Sequence, residues 1–424
     1  MPGMDLTRRH FLRHMAGTGM TLPMLSWTAG FHAARAAGKA TKGRSVVLVW
    51  LAGGPSTIDM FDLKPESKNG GEFKPIATTG AGRICEHLPA LAKQMKHLSI
   101  IRSYGSRDGS HERGTYINHT AFAPVASVKH PSIGAVVAKY NTPADLEIPG
   151  HVSLGGPGVT PGFLGAAYAP FRVTAGNDPI PNIHAPVGPE RFRRRLALLD
   201  RMQQTFVKPT LGELPAEHAT IQDRAVRLMS SKLLDAFHVD NVDPKTRARY
   251  GEHNFGRNCL LARRLVEVGV PFVEVGLGGW DNHQRVFDAL ARSENALLPQ
   301  LDQGFSALVE DLAASGLLAT TTVCLMGDFG RTPRINQDAG RDHWPKGWSV
   351  LVGGGAIKGG EVVGATDKDG VEIVDRPVDV SNLFATLYQS AGISPATELR
   401  SPNGRPLKIV GTFGDGEPVR ELLG

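Results

Sequence analysis

Four short segments of this chain carry side chains that could bind a metal ion or transfer a proton. They combine hydroxyl, imidazole and carboxylate groups and lie at Ser110-His111-Glu112, Asp281-Asn282-His283, Asp328 and Asp342-His343. Imidazole and carboxylate ligands without thiolate suit a divalent ion such as Zn²⁺, Mn²⁺, Mg²⁺ or Ca²⁺. Such an ion polarises a phosphoryl or sulfuryl oxygen and lowers the pKa of a bound water or hydroxyl. The residue types therefore predict a divalent-metal site suited to ester hydrolysis.

Arginines lie close to these segments. Arg113 follows His111 directly after Glu112, and Arg331 follows the Asp328-Phe329-Gly330 segment. Guanidinium groups hold anionic esters and stabilise charge that develops in a transition state. We therefore interpret Ser110 as the candidate nucleophile, His111 as an acid/base group or a ligand, and both arginines as charge-stabilising groups. The candidate metal ligands are Asp281, His283, Asp328, Asp342 and His343.

Each of these residues also has a purely structural interpretation. An isolated Asp-x-His pair often arises by chance, and Asp328 could cap the next segment or accept a backbone N–H. His343 could be a packed surface histidine, and Arg331 could brace a loop. The chemical interpretation depends on convergence, because these segments meet at one edge only if the sheet is parallel. His119 and His130 lack such placement, and we interpret them as structural.

The elements around Asp328 indicate why it would be placed for chemistry. Residues 302–318 (DQGFSALVEDLAASGLL) repeat apolar side chains at helical spacing, and Gly316 lies where the helix should end. The following segment, TTTVCLM, is β-branched and apolar without alternation, which is typical of a strand covered on both faces of a parallel sheet. In a doubly wound sheet, ligands bind at the carboxyl ends of the strands. Asp328 comes directly after that end.

The rest of the chain predicts a single α/β domain over residues 37–424. Strands are expected at 46–51, 98–101, 271–277 and 348–352, and a final helix at 380–391. Residues 141–190 are dense in proline and glycine and are expected to be irregular. Residues 190–270 are mostly helical in pattern, and their charge runs are typical of solvated helix faces. Alternating strands and helices without a break in composition favour one α/β unit.

The amino terminus has the pattern of an export signal. Residues 7–13 (TRRHFLR) contain two adjacent arginines and precede a modestly apolar run, residues 15–31, that is interrupted by glycines. The stretch ends in Ala34-Arg35-Ala36, a small-x-small pattern typical of signal cleavage. It resembles a twin-arginine signal, which exports folded proteins. We expect residues 1–36 to be this leader, a periplasmic or extracellular location, and membrane association only if the leader stays uncleaved.

Charge and cysteine content exclude several classes of protein. The net charge is +6, partly from arginines of the leader, and acidic and basic residues are interspersed. This pattern lacks the basic stripe of a nucleic-acid-binding protein. Cys324 falls inside the predicted apolar strand and is expected in the core. Cys85 and Cys259 could pair in an oxidising compartment, and no spacing here fits a thiolate metal site.

The order of these features resembles the alkaline phosphatase and sulfatase superfamily. The stretch LDQGFSALVEDLAASGLLATTTVCLMGDFG is similar to that superfamily's helix and strand ending in Ser-Asp-His-Gly, and DVSNLFATLYQSAGI with NGRPL resembles its closing helix and strand. More narrowly, the chain resembles the domain-of-unknown-function 1501 family, often called sulfatase-like, through GGWDNH, GDFGRTPRIN and GRDHWPKGWSVLVGGG. That resemblance covers nearly all of residues 45–410. It implies an alkaline phosphatase-like α/β fold, with a mostly parallel sheet and helices on both faces.

The superfamily's functional residues match only in part. The aspartate that normally closes the first strand is replaced by Ala52 and two glycines, and the Asp-His-Gly motif becomes Asp328-Phe329-Gly330. No cysteine occupies a Cys-x-Pro-x-Arg motif, so the resemblance excludes a formylglycine nucleophile. The segment GSHERGTYINHTAF resembles the nucleophile helix, with Ser110 or His111 near the nucleophile position. Asp281 and His283 match the Asp-and-His segment with altered spacing, and His343 would replace a missing ligand.

Two functions follow from this pattern and remain open. The first is an exported, metal-dependent hydrolase of phosphate or sulfate esters, acting on a small anionic ester or a sulfated or phosphorylated glycan. The second is a degenerate member of the same superfamily that binds a ligand or partner without turnover. Ala52 and Phe329, which replace expected ligands, motivate the second. The ordered Asp/His set favours the first.

Overall fold

Apolar, β-branched segments form the strands on which the candidate site depends. A computed structural model of the protein describes residues 43–173, 180, 183–206 and 214–424. The predicted leader, residues 1–36, lies outside the described residues and stays a prediction. The strands are β1 (Ser45–Leu51), β2 (Pro75–Ala77), β3 (Arg83–Cys85), β4 (Leu98–Tyr104), β5 (His151–Leu154), β6 (Phe171–Val173), β7 (Phe272–Leu277), β8 (Thr321–Gly327), β9 (Gly330–Arg331), β10 (His343–Trp344), β11 (Trp348–Gly354), β12 (Val362–Val363), β13 (Ala365–Thr366), β14 (Ile373–Asp375), β15 (Glu398–Arg400) and β16 (Pro406–Lys408).

The helices supply the layers that cover these strands. They are α1 (Pro89–Gln94), α2 (His111–Thr120), α3 (Ile133–Asn141), α4 (Pro189–Phe206), α5 (Leu214–Ser230), α6 (Pro244–Tyr250), α7 (Asn254–Glu267), α8 (Leu297–Ala314) and α9 (Val380–Ser390). Asp379 caps α9 by accepting N–H bonds from Ser381 and Asn382, while the Asn382 side chain accepts the N–H of Asp379. This reciprocal capping box fixes where the last helix begins. No helix among the described residues is both long and apolar enough to cross a membrane.

Eight strands form the central sheet in the order β12-β4-β11-β8-β1-β7-β5-β6. β8, β1, β7, β5 and β6 are parallel to one another, and β12 is parallel to β4. β11 is antiparallel to both β4 and β8, so β4 runs in the same direction as β8. Seven strands therefore point the same way and only β11 is reversed. The predicted α/β fold with a mostly parallel sheet is confirmed.

The central strand β1 shows why both faces of the sheet are covered. Its alternate residues Val47, Val49 and Leu51 belong to a core that includes side chains of α1, α7 and α8. Val46, Leu48 and Trp50 belong to a second core, shared with side chains of α3 and α9. Because successive strand side chains point to opposite faces, this uninterrupted apolar strand needs a helical layer on each side. The prediction of helices on both faces is confirmed.

Most predicted elements occur where the sequence indicated. The predicted strands appear as β1, β4, β7, β8 and β11, and Gly316, at φ +72°, follows the end of α8. α8 itself begins at Leu297, earlier than residue 302. The irregular interpretation of residues 141–190 is wrong in part, because that segment contributes β5 and β6 to the sheet. Both strands are short, and flanking prolines and glycines hide their pattern.

The cysteines differ from one sequence expectation. Cys85 and Cys259 are buried free thiols, so the suggested pairing between them does not occur. Cys324 is buried inside β8, as the apolar strand predicted. Burial raises the pKa of Cys85 to about 12. All three thiols are therefore inert core groups at neutral pH.

A buried ion pair joins the sheet to α2. Glu274 on β7 accepts hydrogen bonds from His119 Nε2 at 2.8 Å, Ser153 Oγ at 3.0 Å and the N–H of Gly158 at 3.1 Å. Glu274 is 1% exposed and His119 is 2% exposed. Burial acts to raise the pKa of Glu274, but the hydrogen bond and charge of His119 outweigh it and lower the pKa. This pair anchors the carboxyl-terminal half of α2, whose first residue is His111.

Replacing Glu274 should destabilise the fold. Glu274→Gln removes the charge opposite His119, and breaking a buried pair typically costs about 3–5 kcal/mol. Urea unfolding at pH 7 should show this loss. Glu310→Gln is the matched control, since Glu310 pairs with Arg249 at the surface and should contribute less than about 1 kcal/mol. Equal losses in the two variants would contradict the buried-pair interpretation.

The effect of Glu274→Gln should also depend on pH in one direction. Because the folded pKa of Glu274 is lowered, its contribution is fully present above the pKa of an unfolded glutamate and is lost on acidification. The stability difference between the protein and Glu274→Gln should therefore shrink as the pH falls below about 4.3. Urea midpoints measured between pH 7 and pH 3 test this expectation. A difference that grows on acidification would contradict it.

Candidate functional site

The candidate residues meet at one edge of the central sheet. β4, β7 and β8 end at that edge, and the segments that follow them carry His111, Asp281 with His283, and Asp328. β11 runs in the opposite direction, so its first residues lie at the same edge. His343 comes just before β11 and joins the others there. The convergence expected from a parallel sheet therefore includes one segment that leads into an antiparallel strand.

Two glycines allow these segments to approach closely. Gly53, after β1, has φ +115°, and a Cβ at this position would lie 2.6 Å from the backbone nitrogen of Asp281. A Cβ on Gly114, in the first turn of α2, would lie 2.8 Å from the carbonyl oxygen of Asp328. Any larger residue at either position would push a candidate segment away from its neighbours. The two glycines thus allow the segments of the site to lie in close backbone contact.

A two-residue strand pair positions His343. β9 and β10 pair antiparallel, with His343 opposite Arg331 and Trp344 opposite Gly330. This pairing brings the chain back toward Asp328, the residue that directly follows β8. The Thr332 N–H also donates to the carbonyl of Asp342 at 2.8 Å. His343 is therefore held by backbone contacts rather than by a flexible loop.

Three side chains present ligand atoms to a common region. His111, Asp281 and His343 each offer one ligand atom, and these atoms lie within 4.8 Å of one another. His343 Nε2 is 3.2 Å from Asp281 Oδ1, and His111 Nε2 is 3.4 Å from Asp281 Oδ2. His283 adjoins the group, because its Nε2 lies 3.0 Å from both Asp281 Oδ1 and His343 Nε2. We call these four residues, His111, Asp281, His283 and His343, the histidine–aspartate cluster.

The other ring nitrogen of each histidine faces an oxygen atom outside this region. His111 Nδ1 lies 2.5 Å from Asp328 Oδ2, and His283 Nδ1 lies 2.8 Å from Asp342 Oδ1. His343 Nδ1 lies 2.7 Å from the carbonyl oxygen of Gly109. The structure therefore brings all five residues predicted as metal ligands together. It places Asp328 and Asp342 against Nδ1 atoms, behind the imidazole rings.

Asp328 has further partners that hold it in place. It is 2% exposed, and its Oδ1 accepts the N–H of Gly53 at 3.0 Å. Asn118 on α2 donates to the Asp328 carbonyl at 2.7 Å and receives a 2.6 Å hydrogen bond from Tyr104. Asp328 is thus held through its carboxylate by the turn after β1 and through its carbonyl by Asn118 on α2, which Tyr104 on β4 supports. Its orientation toward His111 is built into the core of the fold.

Arg331 lies under the cluster. Its side chain is fully buried, and it donates to the carbonyls of Gly53, Gly54 and Arg341 and to Asp281 Oδ1. These acceptors come from the segments after β1 and β7 and from the segment before β10. A guanidinium so enclosed positions Asp281 and the glycine turn. The predicted charge-stabilising role of Arg331 stays a prediction.

The remaining sequence candidates lie at the rim. Ser110 is the residue preceding α2, its side chain does not cap the helix, and its N–H donates to Asp108 Oδ1 at 2.8 Å. The Arg113 side chain is 59% exposed and donates to Asp108 through Nε at 2.5 Å. The hydrogen bond from Arg113 lowers the pKa of Asp108. Both candidates therefore remain accessible to a bound ester.

The charges around Asp281 keep its carboxylate ionised. Burial acts to raise the pKa of Asp281, but the hydrogen bond and charge of Arg331, with smaller contributions from the histidines, lower it to about 2. The pKa of Asp342 is also lowered, chiefly by its hydrogen bond with His283. Ionised carboxylates beside imidazoles are the donor set expected of a cation site.

Phe329 forms an apolar wall beside the cluster. Its ring is fully buried, with its centroid 4.9 Å from the His111 ring and 4.4 Å from the His343 ring. The superfamily resemblance would place an imidazole at this position. The phenyl ring packs the histidines but offers no ligand. Donors at this edge therefore come from the other segments.

Some contacts of the site could not be read from the sequence. Residue type and strand position indicated the aspartates and histidines, but the carbonyl of Gly109 and the N–H of Gly53 are backbone groups without a side-chain signal. Glu274 and its pairing with His119 were also missed, although a charged residue inside the apolar segment FVEVGL was an available signal. His119 and His130 are buried and hydrogen-bonded within the protein.

The fold and the cluster together define an α/β protein with a candidate metal centre at the carboxyl edge of its sheet. The family model described as "Protein of unknown function (DUF1501)" matches residues 43–423, and the chain belongs to that family. The family predicted from the sequence is confirmed. Among curated proteins, none matches this sequence.

Several solved structures share part of this architecture. Ps i-CgsB in complex with k-i-k-neocarrahexaose has 12% identity and a TM-score of 0.40, over 83% of this chain and 72% of that one. The PsFucS1 sulfatase from Pseudoalteromonas sp. has 12% identity and a TM-score of 0.37, over 93% and 75%. A protein in the alkaline phosphatase superfamily from Vibrio parahaemolyticus has 11% identity and a TM-score of 0.38, over 87% and 69%.

Arg331 should contribute more to stability than an arginine at the rim. Arg331→Gln leaves buried carbonyls without donors, and each such loss costs about 1–3 kcal/mol. We expect the free energy of unfolding, measured with urea, to fall by about 2–4 kcal/mol. Arg113→Gln removes an exposed pair and should cost less than about 1 kcal/mol. If the two variants were equally stable, the positioning role of Arg331 would be refuted.

Proposed function

We propose that this protein is an exported, metal-dependent hydrolase of phosphate or sulfate esters. Its substrate would be a small anionic ester or a sulfated or phosphorylated glycan. The observation that carries the proposal is the convergence of His111, Asp281 and His343 ligand atoms within 4.8 Å of one another. The cluster lies where the carboxyl ends of parallel strands meet, which is the usual ligand-binding edge of such sheets.

The donor set fits a divalent cation. Imidazole and carboxylate groups hold Zn²⁺ and Mn²⁺ well, whereas Mg²⁺ and Ca²⁺ prefer oxygen ligands. When bound, such an ion supplies Lewis-acid polarisation of an ester oxygen and a more acidic bound water or hydroxyl. The side chains of Asp281 and His283 are 49% and 43% exposed, so an ester can reach this face of the cluster. These observations support an ion site that an ester can reach.

The residues around the cluster suit an anionic ester. Ser110 precedes α2, and the amino end of a helix carries partial positive charge that favours a phosphate or sulfate group. In our proposal, the Ser110 oxygen bonds to the phosphorus or sulfur as the bond to the ester alcohol breaks, the alcohol leaves with the hydroxyl proton, and water then hydrolyses the serine ester. Arg113, exposed in the first turn of α2, adds charge at the rim. In the same proposal, His111 serves as a ligand. A cysteine nucleophile is not available, because all three cysteines are buried.

One observation favours a second function. Phe329 occupies the position where the superfamily resemblance implies an imidazole, and its ring packs against His111 and His343. With that donor replaced, the site could retain ligand binding and lose turnover. The protein would then be a non-catalytic member that binds sulfated or phosphorylated glycans. Saturable binding without product, with metals supplied, would identify this case.

Metal-dependent turnover provides the direct test. The purified full-length protein would be stripped with a chelator and resupplied in turn with Zn²⁺, Mn²⁺, Mg²⁺ or Ca²⁺. Hydrolysis of aryl phosphates, aryl sulfates and sulfated oligosaccharides would then be measured. We expect turnover that requires added metal, and a loss of at least about 10²-fold in kcat/KM for Asp281→Ala, because removing a ligand should cost more than disturbing its supporting partner.

Two further variants test the nucleophile and provide a control. Ser110→Ala should abolish turnover without changing bound metal if Ser110 is the nucleophile. Asp145→Ala, at an exposed aspartate outside the cluster, should leave both unchanged. Metal-independent hydrolysis, or full activity in Asp281→Ala, would overturn the proposed role of the cluster. Absence of turnover on every ester would leave the binding function as the better description.

A further inference from the structure

The three histidines of the cluster share one orientation. Each Nδ1 lies 2.5–2.8 Å from an oxygen: the carboxylates of Asp328 and Asp342 and the carbonyl of Gly109. A carbonyl or carboxylate oxygen accepts hydrogen bonds, so each Nδ1 must carry the hydrogen. In a neutral imidazole the other nitrogen, Nε2, then holds a lone pair. The surroundings thus select the same tautomer three times.

These lone pairs point into the same small region. His283 Nε2 and His343 Nε2 are 3.0 Å apart, and the Asp281 carboxylate lies 3.0–3.4 Å from the Nε2 atoms of all three histidines. His111 Nε2 is buried and has no hydrogen-bond partner. These electron-rich groups therefore face one another, and a cation among them would stabilise the arrangement.

The spacing suits a single small ion. Ligand atoms about 2.0–2.2 Å from one ion lie about 2.8–3.6 Å from one another, depending on the coordination angle. The distances of 3.0–3.4 Å measured between Nε2 and carboxylate atoms fall in that range. Within the part of the chain that the structure describes, one group of ligand atoms within 4.8 Å of one another is found, and it comprises His111, Asp281 and His343. His283 adjoins that group through its 3.0 Å contacts with Asp281 and His343. These residues provide one centre rather than a pair.

We propose that His111, His283, His343 and Asp281 bind one ion of the zinc class, and that Asp328 and Asp342 are positioning residues. Three imidazole nitrogens and one carboxylate favour Zn²⁺ or Co²⁺ over Mg²⁺ or Ca²⁺, which prefer oxygen ligands. The two carboxylates contact Nδ1 on the far side of their rings and orient the ligands, as outer-shell partners do. The inference names the ion and ligands of the proposed function above, and its use in hydrolysis rests on that function.

The test measures binding separately from activity. The full-length protein would be stripped with a chelator and titrated with Co²⁺ and with Zn²⁺ by calorimetry, and the visible spectrum of the Co²⁺ form recorded. We expect one ion per chain, the intense visible absorption of low-coordinate Co²⁺, and its displacement by Zn²⁺ but not by excess Mg²⁺ or Ca²⁺. Two ions per chain, no binding, or preference for Ca²⁺ would overturn the proposal.

Variants separate ligands from positioning residues. His283→Ala should weaken Co²⁺ binding by more than about 10²-fold, since it removes a ligand, whereas losing a supporting partner costs about 10–100-fold. Asp342→Asn and Asp328→Asn should therefore bind Co²⁺ about 10–100-fold more weakly while keeping the shape of the spectrum. Asp342 is half-exposed, so its variant is expected to fold even if Asp328→Asn does not. His238→Ala, at an exposed histidine outside the cluster, should bind normally.

The outcomes distinguish this inference from the proposed function. Unchanged affinity in His283→Ala would remove His283 from the ligand set. Asp342→Asn as severe as His283→Ala, with an altered spectrum, would make Asp342 a ligand and refute the division of roles. Stoichiometric ion binding without hydrolysis would reject the proposed hydrolase and leave the centre intact. Hydrolysis by a protein that binds no ion would reject the centre.

Discussion

The candidate site depends on one electrostatic constraint: electron-rich atoms are held at contact distance. Two imidazole nitrogens lie 3.0 Å apart, and the Asp281 carboxylate lies beside them. Left to themselves, such groups would repel or reorganise around shared protons. Here each is restrained from behind, the imidazoles through their Nδ1 atoms and Asp281 by Arg331. The protein therefore maintains an arrangement that a cation would stabilise.

The fold supplies that restraint from several directions. The Arg331 side chain joins the turn after β1 to the segments after β7 and before β10, and Arg341 makes a bidentate pair with Asp59 under the same loops. Both guanidinium groups are buried, so their pairings are much more costly to break than surface ion pairs. A binding centre requires ligand side chains that are held by buried partners and exposed on the side where the ligand binds.

Elements with a long, regular sequence pattern were predicted correctly, whereas the direction in which the site side chains face could not be predicted. The apolar strand before Asp328 and the helix before it were readable because their patterns are long and regular. β5 was missed because a four-residue strand among prolines and glycines is too short to show a periodic pattern of apolar residues. All five predicted ligands lie in one place, yet which of them faces inward depends on whether a contact falls on Nδ1 or Nε2. That choice is made by neighbours distant in the chain, and no local motif encodes it.

The proposed single ion would have a consequence for how an ester is bound. In two-ion centres the metals stabilise the charge on both the attacking and the leaving oxygen of the ester. With one ion, more of that charge must be met by the protein, and buried Arg331 is already committed to Asp281 and backbone carbonyls. The amino end of α2, which begins at His111 and carries the exposed Arg113 in its first turn, is then a source of positive potential beside the cluster. Anchoring α2 through His119 and Glu274 therefore fixes a candidate ligand and the anion-binding end together.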